Sequence, residues 1–167
     1  MLILGIDPGL ETLGYGAVRV EGRTLRPHAY GVLRTDGGQR PEIRLLELYR
    51  SMRRLVEDLA PSEAVVERLY FGRNATSAMA VGEARGVALL VLAELGVPVF
   101  SYAPGEVKAA VTGYGRAPKE QVQEMVRRIL GLTALPQPDD AADALAVAVA
   151  HAHRLASRLR TVGGTGR

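Results

Sequence analysis

The sequence predicts an α/β fold in which an antiparallel meander is followed by alternating helices and strands. Three observations predict it. Residues 1–6 (MLILGI) are a near-continuous apolar run, the pattern of a strand covered on both faces. Residues 14–20 and 24–33 flank Glu21-Gly22-Arg23 as the two arms of a hairpin. Beyond Pro41, amphipathic segments at helical spacing alternate with short apolar strands, so the order reads β-β-β-α-β-α-β.

Each element carries its own signal. The first strand runs into Asp7-Pro8-Gly9, a turn, which leaves Asp7 at the end of a central strand. Residues 41–59 set Ile43, Leu46, Met52, Val56 and Leu59 near helical spacing, with Arg44, Arg53, Arg54, Glu57 and Asp58 between them, and Pro41 suits a first helical turn. Glu63-Ala64-Val65-Val66-Glu67 is a short strand that again ends in a carboxylate, and residues 75–95 form a long helix before a strand at 97–102. A short helix follows at 106–111. Pro118-Lys119-Glu120 opens another, whose Val122, Met125, Val126 and Ile129 share a face. Pro136 and Pro138 then stop the chain, and Asp139 or Asp140 caps a final helix to about residue 160. No repeat or linker interrupts residues 1–160, which read as one domain; residues 161–167, with the run Gly163-Gly164-Thr165-Gly166, read as a flexible tail.

Composition narrows the chemistry. At 167 residues, 47% hydrophobic and 23% charged, the chain has the make-up of one globular domain with a packed core. No apolar run approaches the roughly 20 residues of a membrane span, and Met1 leads into Leu2-Ile3-Leu4 without a charged leader, so a cytoplasmic protein is expected. Zero cysteines exclude disulfides, thiolate nucleophiles and Cys-ligated metals, and three histidines leave little for a His-rich centre. Any metal would sit on oxygen.

The net charge of +3 is uneven. Residues 144–167 contain four arginines and no acid, while residues 1–143 hold 17 basic against 18 acidic groups. A basic tail fits a phosphate-bearing partner, and equally a solvated chain end. Of 21 basic residues only Lys108 and Lys119 are lysines, 11 positions apart in one segment, a hint of a place where a compact point charge is wanted.

Four carboxylates stand out. Asp7 and Glu67 end two central strands, at the edge of an open sheet where ligand sites lie. Asp140 and Asp143 are three apart, on one face at the start of a helix, where the dipole offsets their mutual repulsion only by about 0.3–1 kcal/mol per group. Each also has an ordinary reading: Asp7 as a turn former, Glu67 paired with Arg68, Asp140 and Asp143 as cap and first-turn acid. Jointly they offer oxygen ligands on three elements, the donor set that Mg²⁺ or Mn²⁺ prefers.

The motifs that carry these acids, Asp7-Pro8-Gly9-Leu10-Glu11-Thr12-Leu13-Gly14-Tyr15-Gly16, Val65-Val66-Glu67, Asn74 with Ser77-Ala78, Gly82-Glu83-Ala84-Arg85-Gly86, Val107-Lys108, Gly113 to Gln123 and Asp140-Ala141-Ala142-Asp143, closely resemble the RuvC family of bacterial Holliday junction resolvases. The resemblance runs in order from residue 2 to about 153. It implies an RNase H-like fold, a five-stranded mixed sheet flanked by helices, in a homodimer that nicks two strands of a four-way DNA junction symmetrically and leaves 5′-phosphate and 3′-hydroxyl ends. It also implies that Asp7, Glu67, Asp140 and Asp143 are catalytic, metal-binding acids, with Mg²⁺ as cofactor, Mn²⁺ as substitute and two ions per site. Lys108 and Lys119 match the family's functional lysines, Lys119 near the scissile phosphate. Tyr70, standing where the family usually has Phe, and Phe71 suggest a wedge that stacks at the branch point, with core packing of one ring, Phe71, as the alternative, and Arg73, Asn74 and Arg116 are the further expected DNA contacts. Ala78, Gly82 and Gly86 give the 75–95 helix a small-residue face on which two copies would meet, and the branch-migration proteins RuvA and RuvB are the expected partners.

Two other readings are weaker. An actin-like ATPase needs a second phosphate loop that 167 residues cannot hold, and a non-catalytic junction binder would be expected to have lost an acid.

Overall fold

The computed structural model describes residues 1–68 and 75–163, with side chains through 68 and from 78 to 157. The elements in order are β1 (Leu2–Asp7), β2 (Thr12–Glu21), β3 (Thr24–Arg34), α1 (Pro41–Leu59), β4 (Glu63–Glu67), α2 (Ala75–Glu94), β5 (Val99–Tyr102), α3 (Pro104–Thr112), α4 (Lys119–Leu130) and α5 (Asp139–Gly163). One sheet has the order β3-β2-β1-β4-β5. Its first three strands are an antiparallel meander, and β4 and β5 add on parallel to β1, so the five-stranded mixed sheet is as expected.

Strand alternation divides the core into two layers. Leu2, Leu4 and Ile6 of β1, with Ala64 and Val66 of β4, face α1 and α2. Ile3 of β1 and Val65 of β4 face the opposite way, towards α3, α4 and α5. The same parity carries the side chains of Asp7 and Glu67 onto the α5 face. Among the described residues no helix is long and apolar enough to cross a membrane.

Helix α5 is the central buried helix. From Ala141 to Ala152 only Asp143 is more than slightly accessible, because the sheet covers one side of the helix and α3 and α4 the other. Its run of alanines permits close packing, and the sheet answers with glycine. Gly5 pairs with Gly16 and Asp7 with Gly14 across β1 and β2. A Cβ on Gly5 would overlap the backbone of Ala144 and Ala148, one on Gly16 would crowd Leu145, and one on Gly14 would overlap the Asp140 carbonyl. This bare patch lets the first turns of α5 lie directly on the ends of β1 and β2.

Some boundaries differ from the sequence expectation. Strand β5 begins at Val99 rather than 97, because Gly96 turns left-handed (φ 69°) and the Val97 amide closes the end of α2 on the Leu92 carbonyl. Helix α3 begins at Pro104, whose ring suits a first helical position. Neither aspartate precedes α5. That place falls to Pro138, whose carbonyl accepts from the Ala141 and Ala142 amides. Helix α5 continues to Gly163, past position 160.

Candidate active site

The four acids predicted from sequence meet at one edge of the sheet. Asp7 and Glu67 end parallel neighbours whose register, Gly5 with Val65 and Ile6 with Val66, continues to bring the two carboxylates side by side. Strands so paired lie about 4.8 Å apart. The first turn of α5 lowers Asp140 and Asp143 onto them over Gly14.

From the other side come the two lysines. Lys108 on α3 and Lys119 at the start of α4 line, with Glu67 and Asp143, a cavity of about 170 Å³ floored by Pro104, Val107, Val122 and Ala146. The turn between those helices makes the approach possible: Gly113 closes α3 in the left-handed conformation (φ 81°), and Gly115 runs close against Gly105. Asp140 opens on a second depression of about 440 Å³, beside Gly9, Glu11, Thr12 and Arg44. Arg116 is exposed on the α3–α4 turn. Tyr70, Phe71, Arg73 and Asn74 lie outside the described residues.

The electrostatics are those of anions crowded without enough cations. Burial first, and then the charges of Glu67, Asp143 and Asp140, push the Asp7 carboxyl up to about 8. Glu67 is raised by burial and by Asp143, with Lys108 acting against the rise. Asp143 is raised chiefly by burial, although Lys119 lowers it. Partial burial disfavours the Lys119 ammonium, but its hydrogen bonds to Asp143 and Asp139, 3.0 and 3.1 Å away, outweigh that and raise its pKa.

Among the described residues no three His, Asp or Glu side chains stand close enough together to hold a metal ion in this arrangement. The four acids are electrostatic neighbours, and Lys119 occupies the side of Asp143 that faces the cavity. Their chemistry nonetheless fits a hard divalent cation: an all-oxygen donor set, partly desolvated, in which burial first and neighbouring carboxylates second raise Asp7, Glu67 and Asp143.

Three features of the site escaped the sequence reading. Asp139 accepts from Lys119 and from Gln123 Nε2 (3.1 Å), so it belongs to the site and is more than a helix-end acid. Gly5, Gly14 and Gly16 set its depth. Arg85 of α2 donates to the Glu67 carbonyl (3.3 Å) and to Ser101 Oγ of β5 (3.2 Å), clamping the end of β4. Paired glycines on adjacent strands are a readable sign of close helix approach; Asp139 and Arg85 left no comparable signal.

A mixed sheet of this strand order, crossed by a helix that sets two acids against two strand-end acids, defines the class of RNase H-like nucleases. A family model described as crossover junction endodeoxyribonuclease RuvC matches residues 3–151. The crossover junction endodeoxyribonuclease RuvC of Chloroflexus aggregans is 54% identical over 153 residues, 92% of this chain and 93% of its own. The solved RuvC of Thermus thermophilus superposes with a TM-score of 0.88 at 38% identity, covering 95% of this chain and 97% of its own, and the same protein in complex with a Holliday junction substrate gives 0.89, covering 95% and 96%. The chain belongs to the RuvC family of crossover junction endodeoxyribonucleases.

Proposed function

We propose that the chain is a structure-selective endonuclease of homologous recombination and repair, which resolves four-way junctions by nicking two strands symmetrically to leave 5′-phosphate and 3′-hydroxyl ends. The observation that carries this reading is the meeting of Asp7, Glu67, Asp140 and Asp143 beside Lys119 at an open sheet edge. The junction complex of the Thermus relative supports the substrate.

Asp7, Glu67, Asp140 and Asp143 would hold Mg²⁺, with Mn²⁺ as substitute and two ions as the working number. Such ions, when bound, activate water as the nucleophile and stabilise the leaving oxygen. The chain's own residues do the rest. Burial of Asp7 and Glu67 keeps bulk water from screening the site. Lys108 and Lys119 on the cavity wall set positive charge where a phosphate would develop negative charge, worth a few kcal/mol in favourable cases. Arg116, exposed on the α3–α4 turn, would meet the DNA backbone beyond the cavity. By the family resemblance, Arg73 and Asn74 would be further DNA contacts and Tyr70 with Phe71 would supply the rings that stack on bases splayed at the branch point.

Two symmetric nicks call for two sites, hence a homodimer. The outward face of α2 supports this: Met79 and Leu90 are 67% and 60% exposed, and a Cβ on Gly86 would meet nothing within 4 Å, so packing on its own sheet does not account for that glycine. The nuclease domain spans residues 1–160, with α5 running on to Gly163, the place of work is the cytoplasm, and RuvA–RuvB is the partner on the junction. A labelled synthetic junction tests the reading: paired nicks that require Mg²⁺ support it, and binding without cutting under any divalent metal refutes it.

A further inference from the structure

Lys119 stands between two carboxylates in different surroundings. Asp143 lies half-buried against Asp7 and Glu67. Asp139, the first residue of α5, is 59% exposed in its side chain and is not one of the four clustered acids. Its Oδ1 is fixed by Gln123, itself buried, which lies one helical turn beyond Lys119 on α4. Asp139 is thus anchored to the helix that carries the lysine. That lysine begins α4, where the helix dipole disfavours a positive charge, so its position depends on acidic partners outside the helix.

A divalent cation on Asp143 would repel an ammonium 3.0 Å away. A lysine with Asp143 as its sole acidic partner would have to leave the cavity or hold the cation off. A lysine with a second, immobilised carboxylate needs to give up only one of two bonds and stays on the cavity wall.

We propose that Asp139 is a positioning residue, which takes over Lys119 when a cation claims Asp143 and so both eases metal entry and keeps the ammonium at the wall of the site. The proposal rests on the metal-dependent reading above. Asp139 supplies no bond to the reacting phosphate; it acts through Lys119.

A double-mutant cycle on the full chain, read as Mn²⁺ affinity by titration calorimetry at fixed pH, tests it. Asp139→Ala should weaken Mn²⁺ binding about two- to fivefold, the scale of a partly exposed ion pair. Lys119→Met should tighten it, and in that background Asp139→Ala should have no measurable effect. Gln123→Ala, which frees the Asp139 carboxylate without altering the first turn of α5, should move affinity in the same direction by less, and it serves if Asp139→Ala does not melt cooperatively. Equal weakening with and without Lys119 would overturn the proposal, since Asp139 would then act as a remote charge. Unchanged affinity in Asp139→Ala overturns it too. A wild type that binds no Mn²⁺ refutes both this and the metal-dependent reading; one that binds Mn²⁺ with the expected cycle but cuts no junction refutes the proposed function alone.

Discussion

Asp7 has a charge state set first by its burial and then by its acidic neighbours, and this has a measurable cost. Its carboxyl, raised from 3.8 to about 8 in the folded protein, favours folding fully below about pH 4, and that contribution is lost as pH rises through 8. The metal-free protein should therefore lose stability across this window. Asp7→Asn removes the titration: by thermal melts in chelator at pH 8 it should be more stable than wild type by roughly 1–3 kcal/mol, at about 2–4 °C per kcal/mol, with the gap closing towards pH 4. Added Mg²⁺ should raise the wild-type midpoint at pH 8 and the variant's less, because binding to the folded state alone stabilises it. A variant less stable than wild type at pH 8 would contradict the electrostatic account.

At the scale of elements, the site depends on how closely α5 lies on the sheet. Gly14→Ala puts a methyl group into the Asp140 carbonyl, which is backbone and cannot swing aside, so we expect a loss of about 1–3 kcal/mol in denaturant melts and a loss of cleavage beyond what the unfolded fraction explains. Further along α5, buried His151 bonds Glu63 of β4 and Tyr102 of β5, each at 2.7 Å, and stacks near Phe100 with ring centroids 4.4 Å apart. His151→Ala should cost about 2–4 kcal/mol by the same melts and leave the first turn of α5 in place. These ties also explain what the sequence could and could not disclose. Apolar runs ending in Asp7 and Glu67, and Asp140 with Asp143 at helical spacing, made the four acids legible, because strand and helix periods fix which side chains share a face. Asp139 looked like a helix cap, since its value lies in Lys119 and Gln123 on another helix, a tertiary contact no local pattern encodes. The starts of β5 and α3 shifted by two residues each because a left-handed Gly96 and a proline first turn decided them.

For the whole molecule, Met79, Gly86 and Leu90 are exposed on α2, and Arg85 on the same helix grips the end of β4. Leu90→Arg should convert a dimer to a monomer by light scattering and replace paired nicks with infrequent single ones; an unchanged dimer would move the interface elsewhere. If, as proposed, Lys108, Lys119 and Arg116 meet the DNA at phosphates, junction binding should also weaken steeply with salt. The central claim is that four carboxylates and Lys119 form one metal-dependent nuclease centre, and the most direct test is strand cleavage of a labelled four-way junction beside linear duplex, with Mg²⁺ or chelator, by wild type and Asp7→Asn. The account predicts paired, symmetric nicks on the junction alone, requiring Mg²⁺ and absent in Asp7→Asn although that variant folds and binds the junction. Cleavage that persists in chelator or in Asp7→Asn would contradict it.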